Sequence, residues 1–545
     1  MKTDHPAKGY SRQKEAFLFR TARSVSEIQS NVNNLADVLV FLEVLGYNAK
    51  TAREHGFRDM RELARQVFEV IDYFGPRTEA ASQQLRYRTP TLSRRLLEGL
   101  ALSAPWLMML PLLFVFGVSL WMDWHLPAAP LTALGLGLLL GMMVSEGHVW
   151  TYSRLLLFYR AQTNVGETRR VIKRSYLLFA VMLTATGCAL VGAAVLVGVP
   201  LGLVAIAVAS IVTMSFHRFS FTVVYAQRKI VLSVVAYAAA FTALLSVYFL
   251  TSTQIPDPTT RYLAALGAGF LVLSVVAIYC TWKMYTAGPA KATADAPHFY
   301  KPLFINKETL RSRFGIQLWE NAPYYLYGTF FIVMLFGDRL ISWFYNTDRL
   351  VGGSVLPLVF NAAYHRGADI ALLVVFPIGL VQYVRDGHIF SSIHNISLES
   401  PSTDPSALDR YVRRRYLLTM STSLAISGSI AAGLIFFAPA VMVLLNGTSV
   451  SMEILRVAAL GNFLLAIFVV NSSYVMLLNK AKVLAAIAAL CALIVGVGGG
   501  ILGQFGFEDI VFAYFCSCAT AACLSTFEIR RLMRRPASLF FARYS

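Results

Sequence analysis

About twelve long apolar runs between Leu97 and Ile529 constrain the fold of this chain more than any other feature. A helix needs about 20 apolar residues to cross a hydrocarbon layer of about 30 Å. Only helices and closed barrels satisfy their backbone groups in such a layer, and these runs are continuous rather than alternating. The hydrophobic fraction of 56% agrees with this pattern. We therefore predict an all-α polytopic membrane protein.

The positions of the runs predict twelve spans and a two-part membrane region. The predicted spans are about 99–121, 130–150, 175–198, 201–222, 230–250, 262–284, 321–345, 365–384, 415–437, 455–478, 482–502 and 508–529. A polar segment, 285–320, separates the first six spans from the last six. Six plus six is the layout of transporters whose two lobes rock about a site near the midplane.

Loop charge predicts the orientation of the chain. Lys and Arg concentrate after the even-numbered spans, for example at Arg169, Arg170 and Lys173. Cytoplasmic loops of membrane proteins collect such residues. The loop with Arg349 and Arg366 is an exception. We predict that both termini are cytoplasmic.

The predicted domains follow from these two patterns. They are a cytoplasmic helical N-terminal domain over 1–95, a first lobe over 96–284, a cytoplasmic linker over 285–320, a second lobe over 321–529 and a basic cytoplasmic tail over 530–545. In the N-terminal domain, apolar residues recur at helical spacing over 35–45 and again over 60–71. Two short helices bury little apolar area alone, so we expect these stripes to pack on each other or on a partner.

Ionisable residues inside apolar spans mark the first candidate site. Asp338 and Arg339 lie in the seventh span, and Arg366 and Asp369 lie about one helical turn apart in the eighth. Charges in a membrane interior are unfavourable, and a functional role is the default hypothesis. If the seventh helix enters from the cytoplasm, all four residues share one layer of the outer half. They form either neutralising pairs that lock two helices together or a hydrated cavity wall.

A second set of polar residues lies near the predicted cytoplasmic ends of early spans. Its members are Glu146, His148, Arg154, His217 and Arg218. Long polar side chains near helix ends can extend to the membrane surface, and we regard this as the simpler explanation for the set. A role in the transport cavity is the alternative.

Aromatic residues and prolines complete the candidates. Tyr325, Tyr327, Trp343 and Tyr364 are the expected membrane-interface aromatics, but a sugar exporter would use the same rings for stacking, and we take Tyr327 as a cavity candidate. Pro105 and Pro377 remove helix hydrogen bonds, so they are candidate kinks.

Several function classes are disfavoured. The net charge of +18 fits cytoplasmic loops better than nucleic-acid binding. The six cysteines lie in apolar runs without zinc spacing, and neither a phosphate-binding Gly-x-x-x-x-Gly-Lys-Ser/Thr loop nor a His-Glu-x-x-His motif occurs. We therefore expect no cofactor, no metal and no enzymatic activity. A membrane glycosyltransferase is the enzyme class that stays open, although the first outer loop offers only Asp123.

Short motifs resemble the PelG family of exopolysaccharide transporters, a branch of the multidrug/oligosaccharidyl-lipid/polysaccharide (MOP) flippase superfamily. The motifs are Ser103-Ala-Pro-Trp106, Tyr325-Leu-Tyr327 followed by Asp338-Arg339 and Trp343-Phe344, and the segment from Ala368 to Val384 with Pro377. Two departures are an N-terminal domain of about 95 residues and Gln382, where the family pattern has an acid. The resemblance implies a MOP/MATE-like fold of about twelve helices in a bacterial inner membrane.

The leading hypothesis is therefore a transporter that exports an exopolysaccharide or lipid-linked glycan by alternating access. Its implied partners are the glycan, membrane lipids, a cytoplasmic glycosyltransferase and other inner-membrane subunits of a synthesis-export complex. Two rivals stay open. A cation-coupled exporter of small drugs would need a defined carboxylate ion site, and an integral-membrane glycosyltransferase would need a catalytic acid on an outer loop.

Overall fold

The fold is taken from a computed structural model. It describes residues 12–28, 35–73, 91–116, 118, 125–161, 165–227, 229–286, 314–346, 350–351, 354–355, 358–387, 389, 405–534 and 536. Most of the predicted linker 285–320, and the tail beyond 536, lie outside this part of the chain.

Four helices precede the apolar region. They are α1 (Arg12–Ile28), α2 (Leu35–Val44), α3 (Ala49–Glu54) and α4 (Met60–Tyr73). Val38 and Leu42 of α2 are fully buried with Leu63 and Val67 of α4, so the two predicted stripes pack on each other. The α1 helix was not predicted, and it adds Leu18, Ala22 and Val25 to the same core.

The rest of the described chain is a helical bundle. Its first helices are α5 (Leu92–Phe116), α6 (Ala128–Ala161), α7 (Val165–Val197), α8 (Leu201–Ala226), α9 (Ile230–Leu250) and α10 (Pro258–Thr286). Its later helices are α11 (Phe314–Phe344), α12 (Ala362–Ala371), α13 (Phe376–Asp386), α14 (Pro405–Phe436), α15 (Ala438–Leu444), α16 (Ser449–Leu477), α17 (Ala481–Leu493), α18 (Gly499–Leu502) and α19 (Ile510–Leu532). Two-residue strands, β1 (Leu350–Val351) and β2 (Ser354–Val355), pair antiparallel after α11.

Within the described residues, eleven helical segments are long and apolar enough to cross a membrane. They coincide with the second to twelfth predicted spans, and the first predicted span falls on α5. Several helices are longer than predicted: α6 extends to Ala161, and α7 begins at Val165. Hydropathy detects only the apolar part of a helix, so polar turns that continue past the hydrocarbon escape it.

The eighth span is broken rather than continuous. A 3-10 turn, Leu372–Val374, separates α12 from α13, and Pro377 lies in the first turn of α13. Proline suits that place because its missing N–H would have no helical partner there. Pro105, by contrast, lies inside the uninterrupted helix α5. The structure also places Pro323 inside α11, which the sequence analysis did not single out.

The bundle packs around separate cores. Helices α6–α10 enclose one apolar core, and two further cores belong to residues 327–533. We call α5–α10 the first lobe and α11–α19 the second lobe. The lobes meet along two seams, α6 against α11 and α5 against α13. The first core also takes in Phe336 and Trp343 of α11 and Phe360 before α12, so the α6–α11 seam is packed rather than open.

Two glycines set the closest approach across the α6–α11 seam. A Cβ atom on Gly147 would lie 2.7 Å from the Tyr325 carbonyl oxygen, and one on Gly328 would lie 2.6 Å from Cδ1 of Trp150. Neither helix therefore has room for a larger residue at the crossing. Small residues at a crossing let helix backbones approach each other, which is a common basis of helix association in membranes.

The crossing gives a test with a matched control. Gly328→Ala should lower the free energy of unfolding by about 1–3 kcal/mol, because the added methyl group overpacks the seam. Gly267→Ala, on the exposed side of α10 with no atom within 4 Å of the new Cβ, should be neutral or stabilising by up to about 1 kcal/mol. Denaturation midpoints of the purified proteins measure both. Equal effects at the two positions would contradict the close crossing.

Candidate functional site

Arg339 is the centre of a charge cluster in the second lobe. Its side chain is 1% exposed. Nε donates to Oδ1 of Asp369 at 2.8 Å, and Nη1 donates to Oδ1 of Asp338 at 2.9 Å. The carbonyl oxygens of Leu335 and Ala368 accept the other hydrogen bonds, at 2.9 and 2.8 Å. All three guanidinium nitrogens are therefore used, which is what a buried arginine requires.

Asp338 binds a buried tyrosine as well as Arg339. Its carboxylate has no exposed surface, and Oδ2 accepts a hydrogen bond of 2.7 Å from the Tyr364 hydroxyl. Tyr364 is held in place by the start of α12, where Asn361 caps the helix by accepting from the Tyr364 amide at 3.0 Å. Tyr364 is fully buried. Tyr364 is therefore an internal hydrogen-bond donor rather than an aromatic side chain on the surface of the bundle.

His365 connects the cluster to the lobe seam. Nε1 of Trp343 donates to Nε2 of His365 at 2.9 Å, and Nδ1 of His365 is 2.8 Å from Oδ2 of Asp369. An indole N–H only donates, so Nε2 must accept and the proton must be on Nδ1. His365 is therefore neutral in this arrangement. Trp343, also expected at the interface, is fully buried, and its ring lies 3.0 Å from where a Cβ of Gly135 would be.

This bonding fixes the charge balance of the cluster. Two carboxylates, one guanidinium and a neutral imidazole leave one net negative charge. A proton on Nε2 of His365 would cancel that charge, but Trp343 would then lose its acceptor. The cluster is open at Asp369, whose side chain is 37% exposed. Among the described residues, no three His, Cys, Asp or Glu are placed to hold a metal ion.

Arg366 does not join this cluster. It is exposed and donates to the Asn446 carbonyl oxygen at 2.6 Å, in the turn before α16. The sequence analysis placed Arg366 and Asp369 on one helical face. The structure separates them because three residues of helix advance by about 300°, which leaves room for the side chains to diverge.

A second charge pair lies in the first lobe. Glu146 of α6 and Arg218 of α8 form an ion pair, and Nε1 of Trp150 donates to Glu146 at 3.1 Å. Glu146 is buried, and Arg218 is 24% exposed. The expectation that these side chains extend separately to the membrane surface is therefore wrong. Each lies beside an opposite charge on a neighbouring helix, which relieves most of the penalty for leaving water.

The two histidines of the second set of polar residues, His148 and His217, are also inside the fold. His148 contacts the Met182 sulfur at 2.7 Å, and the Tyr325 hydroxyl donates to the same sulfur at 3.3 Å. His217 lies 3.0 Å from the Tyr237 hydroxyl. Both histidines are buried, so surface exposure is the wrong explanation for them as well.

Arg154 differs from the other members of this second polar set because it connects the two lobes. Nη1 donates to Oδ1 of Asn321 at 3.1 Å, and the guanidinium lies 3.9 Å from the Tyr324 ring centre. Asn321 and Tyr324 belong to α11 of the second lobe. At the other end of the seam, the Phe360 amide donates to Thr132 at 2.9 Å. Polar contacts therefore tie the α6–α11 seam at both ends.

The two charge clusters lie on either side of this seam at different levels. Gly328 marks the level of Glu146, since a Cβ there would lie 3.0 Å from the Glu146 carbonyl oxygen. Asp338 is ten residues further along α11, which corresponds to about 15 Å. Tyr327 lies next to Gly328, at the level of Glu146; it is 3% exposed and packs against Trp150. In this conformation it does not line an open cavity.

Comparison with known proteins identifies the fold. No protein-family model and no curated protein matches the chain. An outward-facing multidrug resistance MATE family transporter of the MOP superfamily matches with a TM-score of 0.55 and 14% identity, over 84% of this chain and 99% of that one. A crystal structure of MATE in the bent conformation matches with a TM-score of 0.53 and 14% identity, over 83% and 94%. The MATE transporter ClbM in complex with Rb⁺ gives 0.51 and 12%, over 82% and 96%.

These similarities establish a MATE-like fold. Together with the eleven apolar helices, they support a multi-pass integral membrane protein. The predicted fold class is confirmed. The finer resemblance to the PelG family stays a prediction, because the sequence identity to these solved structures is only 12–14%.

The burial of Asp338 leads to a stability prediction. Asp338→Ala should lower the free energy of unfolding by about 3–5 kcal/mol, because it removes a buried partner of Arg339. Tyr364→Phe should cost about 1.5–3 kcal/mol, the usual range for a hydrogen bond to a charged group. Arg366→Gln, on the exposed side of α12, should change stability by less than about 0.5 kcal/mol. Denaturation midpoints in detergent provide the measurement. An Asp338→Ala protein as stable as the parent would show that the cluster does not lock α11 to α12.

Proposed function

We propose that the protein is an inner-membrane transporter that exports an exopolysaccharide or lipid-linked glycan by alternating access, with both termini in the cytoplasm. The observation that carries the proposal is the arrangement of two helical lobes that meet at the seam of α6 and α11, which is apolar in its middle and carries polar contacts at its ends. Such lobes can move as units if the contacts across the seam, including those of Phe336 and Trp343 with the first core, exchange when the seam opens.

The glycan class is supported by where the family-like motif lies. The residues that resemble the PelG pattern, from Tyr325 to Phe344, lie in α11, the helix that packs against α6 at the seam. Trp343 and Tyr327 are large rings at this seam, and Asp369 offers an exposed carboxylate beside it. Rings and carboxylates are the groups that stack on and hydrogen-bond to sugars. An opened seam would present both kinds of group.

A cation-coupled exporter of small molecules is the second candidate, since a multidrug transporter and a Rb⁺ complex share the fold. The described cluster argues against a cation site at its centre. Asp338 and Asp369 already bind Arg339, so a metal ion would have to displace an internal guanidinium. A proton on His365 would meet the remaining charge without that displacement. Proton coupling or the synthesis of the polymer is therefore the drive we propose.

The proposed partner is a cytoplasmic glycosyltransferase that docks on helices α1–α4. These helices enclose a core of their own, with Val25, Val38 and Val67 fully buried. A small folded unit of this kind can present a surface to another protein without unfolding. Docking there would couple polymer supply to export.

Alternating access can be tested by locking the seam. Arg154→Cys and Asn321→Cys, joined by a short bifunctional maleimide in a background without the six native cysteines, should stop export. The reason is that the lobes must separate at this end during each cycle. Secreted polymer per inserted molecule, in a strain that lacks the native gene copy, provides the measurement. A reducible linker should restore export on reduction.

The matched control joins two residues of one lobe. Tyr176 and Thr281 hydrogen-bond at 3.3 Å within the first lobe, so a Tyr176→Cys/Thr281→Cys pair should tolerate the same linker. Undiminished export with the seam locked would refute alternating access. If an engineered strain exports its polymer normally with the whole gene deleted, the glycan is not the substrate.

The docking proposal predicts a separate effect. Deletion of residues 1–90 should leave the membrane part inserted, because α5 keeps Arg94 and Arg95 at its start. Export should fall at least severalfold, and less synthase should be recovered with the purified transporter. Quantitative blotting of both proteins and of secreted polymer provides the measurement. Full export with unchanged synthase recovery would rule docking out.

A further inference from the structure

A cavity of about 300 Å³ lies at the other seam between the lobes, where α5 meets α13, away from the charge clusters. Its walls come from the first turns of α5, the last turns of α13 and the middle of α14, from Arg415 to Ile426. Close packing of α5 on α13 forms its floor, where Tyr383 donates to Glu98 at 2.7 Å. By the loop-charge prediction, all three helices have this end at the cytoplasmic side.

The mouth of the cavity opens onto apolar surface. Three of its lining residues are among the exposed large apolar side chains of the protein: Leu92 at 62%, Leu96 at 41% and Ile426 at 37%. Leu380, Val381 and Val384 make the inner wall apolar too. In a membrane protein, exposed apolar side chains of this kind face lipid tails, which are as apolar as they are. The cavity is therefore continuous with the lipid phase.

Three arginines line the same apolar cavity. Arg95 belongs to α5, Arg385 to α13 and Arg415 to α14, and each is half-buried. Arg415 lies 3.5 Å from Asp386, and Arg385 donates to Thr422 at 3.3 Å. The Asp386 carboxylate also accepts hydrogen bonds from the hydroxyls of Tyr474 at 2.8 Å and Thr419 at 3.1 Å. The described lining therefore carries three positive charges, and the two acids beside it, Asp386 and Glu98, both accept from other donors, Glu98 from Tyr383 and Arg94.

We propose that this cavity binds an anionic phospholipid, with the phosphate between the arginines and one acyl chain along the apolar wall. Guanidiniums bind phosphate oxygens in a bidentate way, and basic pockets between helices at the cytoplasmic side suit anionic headgroups. From Arg415 to Ile426 the wall runs eleven residues along α14, or about 16 Å. That is close to half of a hydrocarbon layer of about 30 Å, the depth of one leaflet.

The apolar wall distinguishes a lipid from a soluble phosphate. A free anion would be satisfied by the arginines but would leave the space along Leu380, Val381 and Val384 unfilled. A phospholipid would fill both regions, because its phosphate would bind the arginines and an acyl chain would cover the apolar wall. Because α5 belongs to the first lobe and α13 and α14 to the second, a bound lipid joins the lobes at this seam. The proposal does not depend on which solute the protein transports.

The test uses the full-length protein after delipidation in detergent. Phosphatidylglycerol, phosphatidylcholine and inorganic phosphate are titrated separately, and bound lipid is counted by native mass spectrometry. Phosphatidylglycerol should bind at least tenfold more tightly than phosphatidylcholine. Arg95→Gln with Arg385→Gln should weaken phosphatidylglycerol binding by about tenfold or more, because each lost charge-assisted hydrogen bond is worth about that factor.

Arg414→Gln is the matched control, since Arg414 is exposed on α14 and does not line the cavity. Its affinity should stay within about twofold of the parent. If the double variant does not fold, Arg385→Gln alone is tested in the same way. Equal binding of phosphatidylcholine, displacement of the lipid by inorganic phosphate at equal concentration, or unchanged binding by the arginine variant would each overturn the proposal.

Discussion

A membrane interior offers no water to a polar group, so every buried donor and acceptor must find a partner within the protein. Arg339 shows how far this requirement organises the second lobe. Its donors reach two carboxylates and two backbone carbonyls, which fixes α11 against α12. Tyr364 and His365 are then placed by the same acids. One guanidinium thus determines the local packing of two helices.

The same requirement explains the first lobe. Glu146 and Arg218 lie on different helices, and each removes the need for the other to reach water. The pair stands beside the crossing of Gly147 and Gly328, where the lobes come closest. Charge inside each lobe and small residues between the lobes therefore play different parts. The charge pairs connect helices within a lobe, whereas the glycines at the crossing let the two lobes approach each other closely.

The prolines show how similar sequence signals lead to different structures. Pro377 follows a 3-10 turn and starts a new helix, so the eighth span is split beside the charge cluster. Pro105 and Pro323 lie inside continuous helices. Pro377 removes no helical hydrogen bond because it lies in a first turn, whereas Pro105 and Pro323 each remove one inside a helix that nevertheless continues.

Several features could be predicted from the sequence with little ambiguity. The second to twelfth spans fall on observed helices, because about 20 apolar residues in a row have few other stable arrangements. That Asp338, Arg339, Arg366 and Asp369 share one polar layer was also predicted from their position in apolar runs, and the structure brings all of them together except Arg366. The first helix, α1, was not predicted, although Leu18, Ala22 and Val25 recur at helical spacing and form its buried face.

The partners of these residues were decided by tertiary structure. Nothing in the spacing of Glu146 and Arg218 indicates that they meet, because they are 72 residues apart on helices that only the fold brings together. Arg366 and Asp369 looked like neighbours in sequence, yet Arg366 binds a turn 80 residues away. Trp343 and Tyr364 looked like interface aromatics until the cluster gave each an internal partner. Hydropathy along the chain determines which segments enter a membrane, whereas pairing inside it depends on distances between helices, which a single sequence does not contain.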